Sequence, residues 1–467
     1  LKLLFATPEC PPFARTGGLG DVSAALPAAL REIGVDARVL LPAYKRAAAT
    51  PVAECEVLGW SVRLLEGQLP GGVPVYLLEC PRLYERDGGP YQDAQGVDWP
   101  DNPARFGLFS KVAALLASGR SPLAWRPEVL HCHDWPAALA PVFLSLEKGN
   151  NARTLLTIHN LAFQGNFDPV WVERLGLPNE LFSIERLEFH GRLSFLKGGI
   201  VFADALNTVS PRYAREIQEP ETGCGLDGLL RARGGALSGI LNGIDTAAWD
   251  PARDPLIASR YDARSLQRKA ANKAALQRRL NLELDEHALL LGSVGRITRQ
   301  KGTDLLAAAG AELLDGSTQL ALLGAGEREI EQALTALAAR HPGRMAVRIG
   351  FDDGLAHLVE AGADVFLMPS RFEPCGLNQM YSQRYGTPPV ARETGGLADT
   401  IEDGVNGFLF QRAEPPALAD AVRRAAAAWR QPARWREMQR AAMARDFSWA
   451  AAARRYADLC RRRATPG

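Results

Sequence analysis

Arg296 and Lys301 stand close together in "SVGRITRQKGTDLL", just after an apolar run and just before a helical pattern. Only eight of the 54 basic residues are lysine, so Lys301 beside Gly302 at a helix start is conspicuous. Two cations at the positive end of a helix can stabilise a departing diphosphate without a metal. Ordinary solvated loop charges are the plainer alternative. Further on, "PSRFEPCGLNQMYSQRYGT" sets Glu373 before Pro374, which suits the first turn of a helix. Glu373 is either a carboxylate offered to a ligand beside the N–H groups of Cys375, Gly376 and Leu377, or a complement to the positive helix end. A thiolate role for Cys375 is favoured by a helix N-terminus, but no Cys–His–Asn signature accompanies it.

The first half carries a different group of candidates. "RTGGLGDV", residues 15–22, follows the apolar Leu3, Leu4 and Phe5 and opens onto the helical "SAALPAALREIG". A strand, a glycine turn and a helix together suggest a phosphate at the helix N-terminus. The spacing matches neither G-x-G-x-x-G nor a P-loop, so the loop reads as a phosphate cradle of another kind. It recurs as "ETGGLADT" at 393–400, either by turn chemistry or because a second glycine loop faces the same ligand. His159 and Asn160 end "TIHNLAFQG": His159 is satisfied by nearby backbone or delivered to a cleft floor. "HCHDW" holds His131, His133 and Asp134 without H-E-x-x-H or a cysteine pair, so no metal is expected. His133-Asp134 is a ligand-facing pair or a local hydrogen-bonded turn.

These residues need strands to carry them. Apolar runs alternate with helical patterns almost throughout: "KLLFAT", "ARVLLP", "VPVYLLE", "PEVLHCH", "RTLLTIH" and "ALNTVS", then "LLLGSVG", "QLALLGAG", "MAVRIGF", "DVFLMPS" and "PPVAR". Runs of this length between helices predict buried parallel strands, hence an α/β protein with doubly wound sheets. Such sheets bind ligands outside the carboxyl ends of their strands. The turn-rich "LNGIDTAAWDP" separates the two series, and 467 residues suffice for two or three domains.

Composition narrows the function. A net charge of +1 argues against a general nucleic-acid or anionic-membrane surface. No segment approaches the ~20 apolar residues of a membrane span, and the first residues lack a signal-peptide pattern. Seven cysteines without C-x-x-C pairs fit a reducing cytoplasm.

In chain order, "TGGLGDV", "YQDAQGVDWPDNPARF", "HCHDWPAAL", "TIHNLAFQG", "LKGGIVFADALNTVSPRYAREI", "GLDGLL", "LNGIDTAAWDP", "GRITRQKGTDLL" and "SRFEPCGLNQMY" resemble signatures of one family. It is the bacterial glycogen synthase and plastid starch synthase family, retaining glucosyltransferases that use ADP-glucose. The resemblance implies a GT-B fold: two Rossmann-like domains, 1–243 and 244–445, facing a deep cleft, with a last helix, 446–467, crossing back. It implies that Arg296 and Lys301 hold the donor diphosphate and that Glu373 bonds the transferred glucose, near the N–H groups of Cys375 to Leu377. It places His159 on the sugar, Asn242 in the donor site and Asp21 by the first glycine loop. Gly17 and Gly18 would let backbone approach the donor. The implied partners are ADP-glucose and an α-1,4-glucan; no cofactor or metal, nucleic acid or membrane is implied.

Two positions depart from the pattern. Arg15 stands where the family has Lys, and Tyr381 stands where the wider superfamily has a second Glu; glycogen synthases commonly lack that Glu. A nicotinamide-dependent oxidoreductase is the first rival, but it requires an acidic residue closing the second strand, and "ARVLLPAY" ends in Pro, Ala and Tyr. A non-catalytic glucan-binding relative is the second, opposed by intact Glu373, Arg296, Lys301 and His159. The choice between ADP- and UDP-glucose stays open at this stage.

Overall fold

Strands that are apolar on every residue require cover on both faces, and the chain provides it twice. A computed structural model describes residues 1–45, 48–149, 151–314, 316 and 318–462. They form two compact units, Leu1–Gly243 with the C-terminal segment from Trp449, and Ile244–Ser448.

The first unit contains β1 (Lys2–Ala6), β2 (Asp36–Pro42), β3 (Thr50–Val57), β4 (Trp60–Gln68), β5 (Pro74–Glu79), β6 (Val129–His133) and β7 (Arg153–Ile158). Short strands β8 (Asn166–Phe167), β9 (Glu188–Phe189) and β10 (Arg192–Ser194) make a small antiparallel sheet of their own. Then follow β11 (Ala205–Thr208) and β12 (Leu237–Gly239). The main sheet runs β12-β11-β7-β6-β1-β2-β5-β4-β3. It is parallel from β12 to β5, as expected, but β4 and β3 add antiparallel to its edge. That hairpin leaves no uninterrupted apolar run, because Glu54, Glu56 and Arg63 fall within it on an edge half open to water. Leu58 and Gly59 turn it with φ of 52° and 73°, the left-handed pair that a two-residue hairpin needs.

The second unit holds β13 (Leu289–Val294), β14 (Thr318–Gly324), β15 (Met345–Ile349), β16 (Val365–Met368), β17 (Pro389–Arg392) and β18 (Phe408–Phe410). They form a fully parallel sheet ordered β15-β14-β13-β16-β17-β18. Alternate residues feed two separate cores. Leu289, Leu291, Leu320, Leu322, Val365 and Leu367 pack with the helices Thr303–Leu313, Arg328–Arg340 and Pro415–Trp429. Leu290, Ala321, Leu323, Phe366 and Met368 pack the other way, with Lys269–Arg279 and Asp353–Gly362. This is the doubly wound arrangement, and it leaves the loops at the strand carboxyl ends free for chemistry.

The C-terminal helix Trp449–Arg461 packs on the helix Gly18–Glu32 in the first unit. Its Tyr456 hydroxyl accepts the buried Asn207 Nδ2–H at 2.9 Å. Tyr456→Phe leaves that donor short of an acceptor and is expected to cost about 1–2 kcal/mol. Urea denaturation checks this, and an unchanged midpoint would show that the contact adds no stability.

Candidate active site

In the second unit the loops after β13 and β16 converge. Gly302 adopts φ of 68° as the residue before the helix Thr303–Leu313. A Cβ there would lie 1.9 Å from the Pro369 carbonyl oxygen, so only glycine lets the Lys301 loop press against the loop after β16. The Lys301 Nζ reaches Glu373 Oε2 at 2.6 Å, and the Ser370 hydroxyl donates to the same oxygen at 3.0 Å. Glu373 is buried and Lys301 partly exposed. Arg371 braces the junction through a double contact to Asp304 and a bond to the Arg299 carbonyl. Arg296 is exposed, with no hydrogen-bond or ion-pair partner among the described residues.

Glu373 sits in a loop clamped from behind. A Cβ on Gly395 would come 1.9 Å from the Glu373 carbonyl oxygen, and one on Gly396 would come 2.0 Å from that of Cys375. The Gly396 N–H donates to the Glu373 carbonyl at 3.1 Å. This corrects the reading of "ETGGLADT" as a second ligand-facing glycine loop: those glycines are buried, and their bareness serves the backbone of the Glu373 loop. Cys375 is buried. Gly376 has φ of 73°, and the N–H groups of Gly376 and Leu377 have no acceptor among the described residues.

In the first unit Arg15 Nη2 contacts Asp21 Oδ1 at 2.9 Å, so the two predicted donor-binding residues pair within one turn of chain. Burial raises the Asp21 carboxyl and Arg15 opposes the rise. Gly17 is extended, and a Cβ on Gly17 or Gly18 would meet nothing within 4 Å. Their missing side chains leave open space beside the helix start. That loop is anchored by Glu9, a residue the motif reading did not single out. The Glu9 Oε2 accepts the N–H groups of Thr16 (2.6 Å) and Gly17 (3.2 Å), and Oε1 accepts the Tyr91 hydroxyl at 2.7 Å. Two N–H groups of the glycine loop are therefore taken by a carboxylate of the protein itself. Burial raises the Glu9 carboxyl, with the bonds from Tyr91, Thr16 and Gly17 opposing.

His159 follows β7 and lies beside His133, the last residue of β6, Nε2 to Nδ1 at 2.9 Å. Asp134 Oδ1 accepts the N–H groups of His159 (2.7 Å) and Asn160 (3.4 Å), with Asp134 at a positive φ of 54°. The hydrogen bonds of Asp134 are not those of a local turn: they fasten the end of the neighbouring strand, 25 and 26 residues on. His159 Nδ1 has no partner among the described residues. Asn242, the last predicted residue, is buried with Oδ1 unpartnered among the described residues. No group of side chains suited to a metal occurs among the described residues.

Burial holds His131 and His159 at about 3 and pushes His133 well below the usual imidazole value. His159 is therefore a neutral imidazole at pH 7. Unfolding frees all three to bind protons near 6.5, so their contribution to stability falls as pH drops below about 6.5. Asp134, raised to about 7 by burial, and the Glu9, Asp21 and Glu360 carboxyls, also raised by burial, act in the opposite sense. The His159 contribution is therefore read as a difference: between about pH 7.5 and 5, urea denaturation is expected to show His159→Gln gaining stability relative to the parent as pH falls. A pH slope that His159→Gln leaves unchanged would contradict a neutral His159 in the folded chain.

The geometry has counterparts among known proteins. The family model for the starch synthase catalytic domain matches residues 2–232, and that for glycosyl transferases group 1 matches 277–442. The glycogen synthase of Aromatoleum aromaticum is 55% identical, over 98% of this chain and 96% of that one. That of Nitrosomonas eutropha is 49% identical, over 98% and 95%. The catalytic domain of starch synthase IV from Arabidopsis thaliana, solved with ADP and acarbose, superposes with a TM-score of 0.85 at 32% identity, over 98% of each chain. Sucrose-phosphate synthase from Thermosynechococcus elongatus, at 19% identity and a TM-score of 0.63, shares the fold. With both halves matched and relatives aligned end to end, the chain belongs to the glycogen and starch synthase family of GT-B glycosyltransferases.

Proposed function

We propose that the chain transfers glucose from ADP-glucose to the non-reducing 4-hydroxyl of an α-1,4-glucan, with retention at the anomeric carbon. The observation that carries this reading is the buried Glu373 carboxylate bound to Lys301, at the same carboxyl end of the sheet as an unpartnered Arg296. In the reaction the bond from C1 to the diphosphate oxygen breaks and a bond from C1 to the acceptor oxygen forms. The acceptor proton passes to the departing phosphate on the same face. Arg296 and Lys301 stabilise the charge on the diphosphate. Glu373 accepts a hydroxyl of the transferred glucose, and the free N–H groups of Gly376 and Leu377 lie in its loop. ADP in the starch synthase structure and acarbose, a glucan-like sugar, support the two substrate classes. No resident cofactor or metal is assigned.

In the first unit, neutral His159 offers its Nδ1 to a sugar, and Phe163, 56% exposed, provides an apolar face four residues on. Arg15, Asp21, the open space at Gly17 and Gly18, and the unpartnered Asn242 Oδ1 are assigned to the donor. Phe351 adds a residue that motif reading passed over. It follows β15 at the carboxyl end and is 88% exposed, a surface on which a nucleobase can stack.

Glu373→Ala is expected to lower kcat by at least ~100-fold with little change in folding. Arg15→Lys is expected to change kcat/KM for ADP-glucose by less than ~10-fold, since both side chains carry the charge, and Arg15→Ala to cost ~2 kcal/mol or more. Phe351→Ala is expected to raise the KM for ADP-glucose about tenfold. Labelled ADP-glucose and UDP-glucose, each incubated with glycogen, test the assignment directly. Label entering polymer from ADP-glucose is the expected result, and none from either donor would refute it.

A further inference from the structure

Trp249 belongs to the turn-rich "LNGIDTAAWDP", just inside the second unit. Its indole is stacked with two other rings. The His357 imidazole lies 3.8 Å away between ring centres, with 11° between the planes, and the Tyr381 ring lies at 3.9 Å and 13°. Two rings so close and so parallel cannot share one indole face without clashing, so they cover opposite faces. The order of the column is therefore His357, Trp249, Tyr381. With both faces taken, the indole offers no platform to a ligand and instead joins one part of the protein to another.

One end of the column is rooted in a buried polar group. His357 Nδ1 meets Asp254 Oδ2 at 2.8 Å, and the Asp254 side chain is fully buried. The Tyr385 hydroxyl donates to the same oxygen at 2.5 Å, and the Leu256 N–H donates to Oδ1 at 2.8 Å. A buried carboxyl group held in this way is costly to disturb. The other end is the helix Asn378–Arg384, which carries Tyr381 and Arg384 and runs directly into Tyr385. Arg384 donates to the carbonyls of Trp249 (3.3 Å) and Thr246 (3.4 Å). Residues 381, 384 and 385 are three and four apart, so they share one helix face, and 246–254 grips that face. A helix of seven residues is too short to hold its own place. At its start, Asn378 Nδ2 donates to the Val294 carbonyl at 2.6 Å, at the end of β13. The same helix continues the loop that bears Glu373 and the N–H groups of Gly376 and Leu377. Its setting therefore decides where those groups point.

We propose that Trp249 is a positioning residue for the donor: clamped between His357 and Tyr381, it holds the helix Asn378–Arg384 in one setting and so aims the loop 373–377. The inference rests on the assignment of that loop to the donor, made above. Trp249 itself touches no substrate in this account. It acts through Tyr381 and the helix, and the flat faces of its ring are what the column requires.

Calorimetric titration of the full chain with ADP reads the effect. Trp249→Ala empties the middle of the column and is expected to weaken ADP binding about three- to tenfold, the worth of a stacked ring pair. Trp249→Phe keeps a flat ring between the other two and is expected to stay within about twofold of the parent. Hydrogen–deuterium exchange in 376–385, without ligand, should be faster in Trp249→Ala. Urea denaturation shows which variants are folded, and Trp249→Leu, which keeps the bulk without the ring, replaces Trp249→Ala if that variant is not. A merely structural tryptophan would lower the urea midpoint of a folded variant and leave its ADP affinity unchanged, and that result overturns the proposal. So does Trp249→Phe binding ADP as weakly as Trp249→Ala, or exchange in 376–385 that the loss of the ring leaves unaltered. A parent chain that binds no ADP would instead remove the donor assignment, and the proposal with it.

Discussion

A buried carboxylate must be matched by a cation or by hydrogen bonds, or it will not stay ionised. Glu373 meets this requirement with Lys301 Nζ and the Ser370 hydroxyl on the same oxygen, and much of the second unit follows from keeping those groups in place. Lys301 arrives on a loop that only a left-handed glycine lets approach Pro369. Ser370 and Glu373 belong to the next loop, which Gly395 and Gly396 support at distances no Cβ would tolerate. The Arg371–Asp304 contact ties the first of these loops to the second. A lysine committed to a carboxylate is also preorganised: its charge is already at the edge of the site when a diphosphate arrives.

The first unit fixes its loops by N–H bonds to carboxyl groups. Its glycine loop is fixed by Glu9, which is in turn held by Tyr91, and Tyr91 lies beside the segment anchored by Arg105. That arginine is almost wholly buried and donates to the carbonyls of Leu83 and Pro90 and to Asn102. The His159 loop hangs from Asp134, at the end of the neighbouring strand. The second unit thus presents the Lys301–Glu373 pair with Arg296, and the first presents the Arg15–Asp21 pair and a neutral His159.

Several of these features were legible in the residues. The parallel strands of both units could be read from runs such as "LLLGSV", because burial on both faces removes polar alternation. Arg296, Lys301, Glu373 and His159 were singled out because each follows an apolar run where a doubly wound sheet exposes its loops. The β3–β4 hairpin was not legible, since its charged residues break the run that marks a buried strand. Glu9 was missed because a lone carboxylate in "TPEC" gains its meaning only from the fold that brings Thr16, Gly17 and Tyr91 to it. The second glycine loop stayed open between two readings for a related reason. Sequence shows that glycines remove side chains, but not whether a ligand or another stretch of backbone occupies the space.

The central claim is that Lys301 and Glu373 work as one unit rather than as two separate contacts. A double-mutant cycle on kcat, with Lys301→Ala, Glu373→Gln and the pair, tests it most directly. If the claim holds, the double variant is no slower than the worse single variant by more than about threefold, because either change already dismantles the pair. Losses that multiply would show two independent residues and contradict the account.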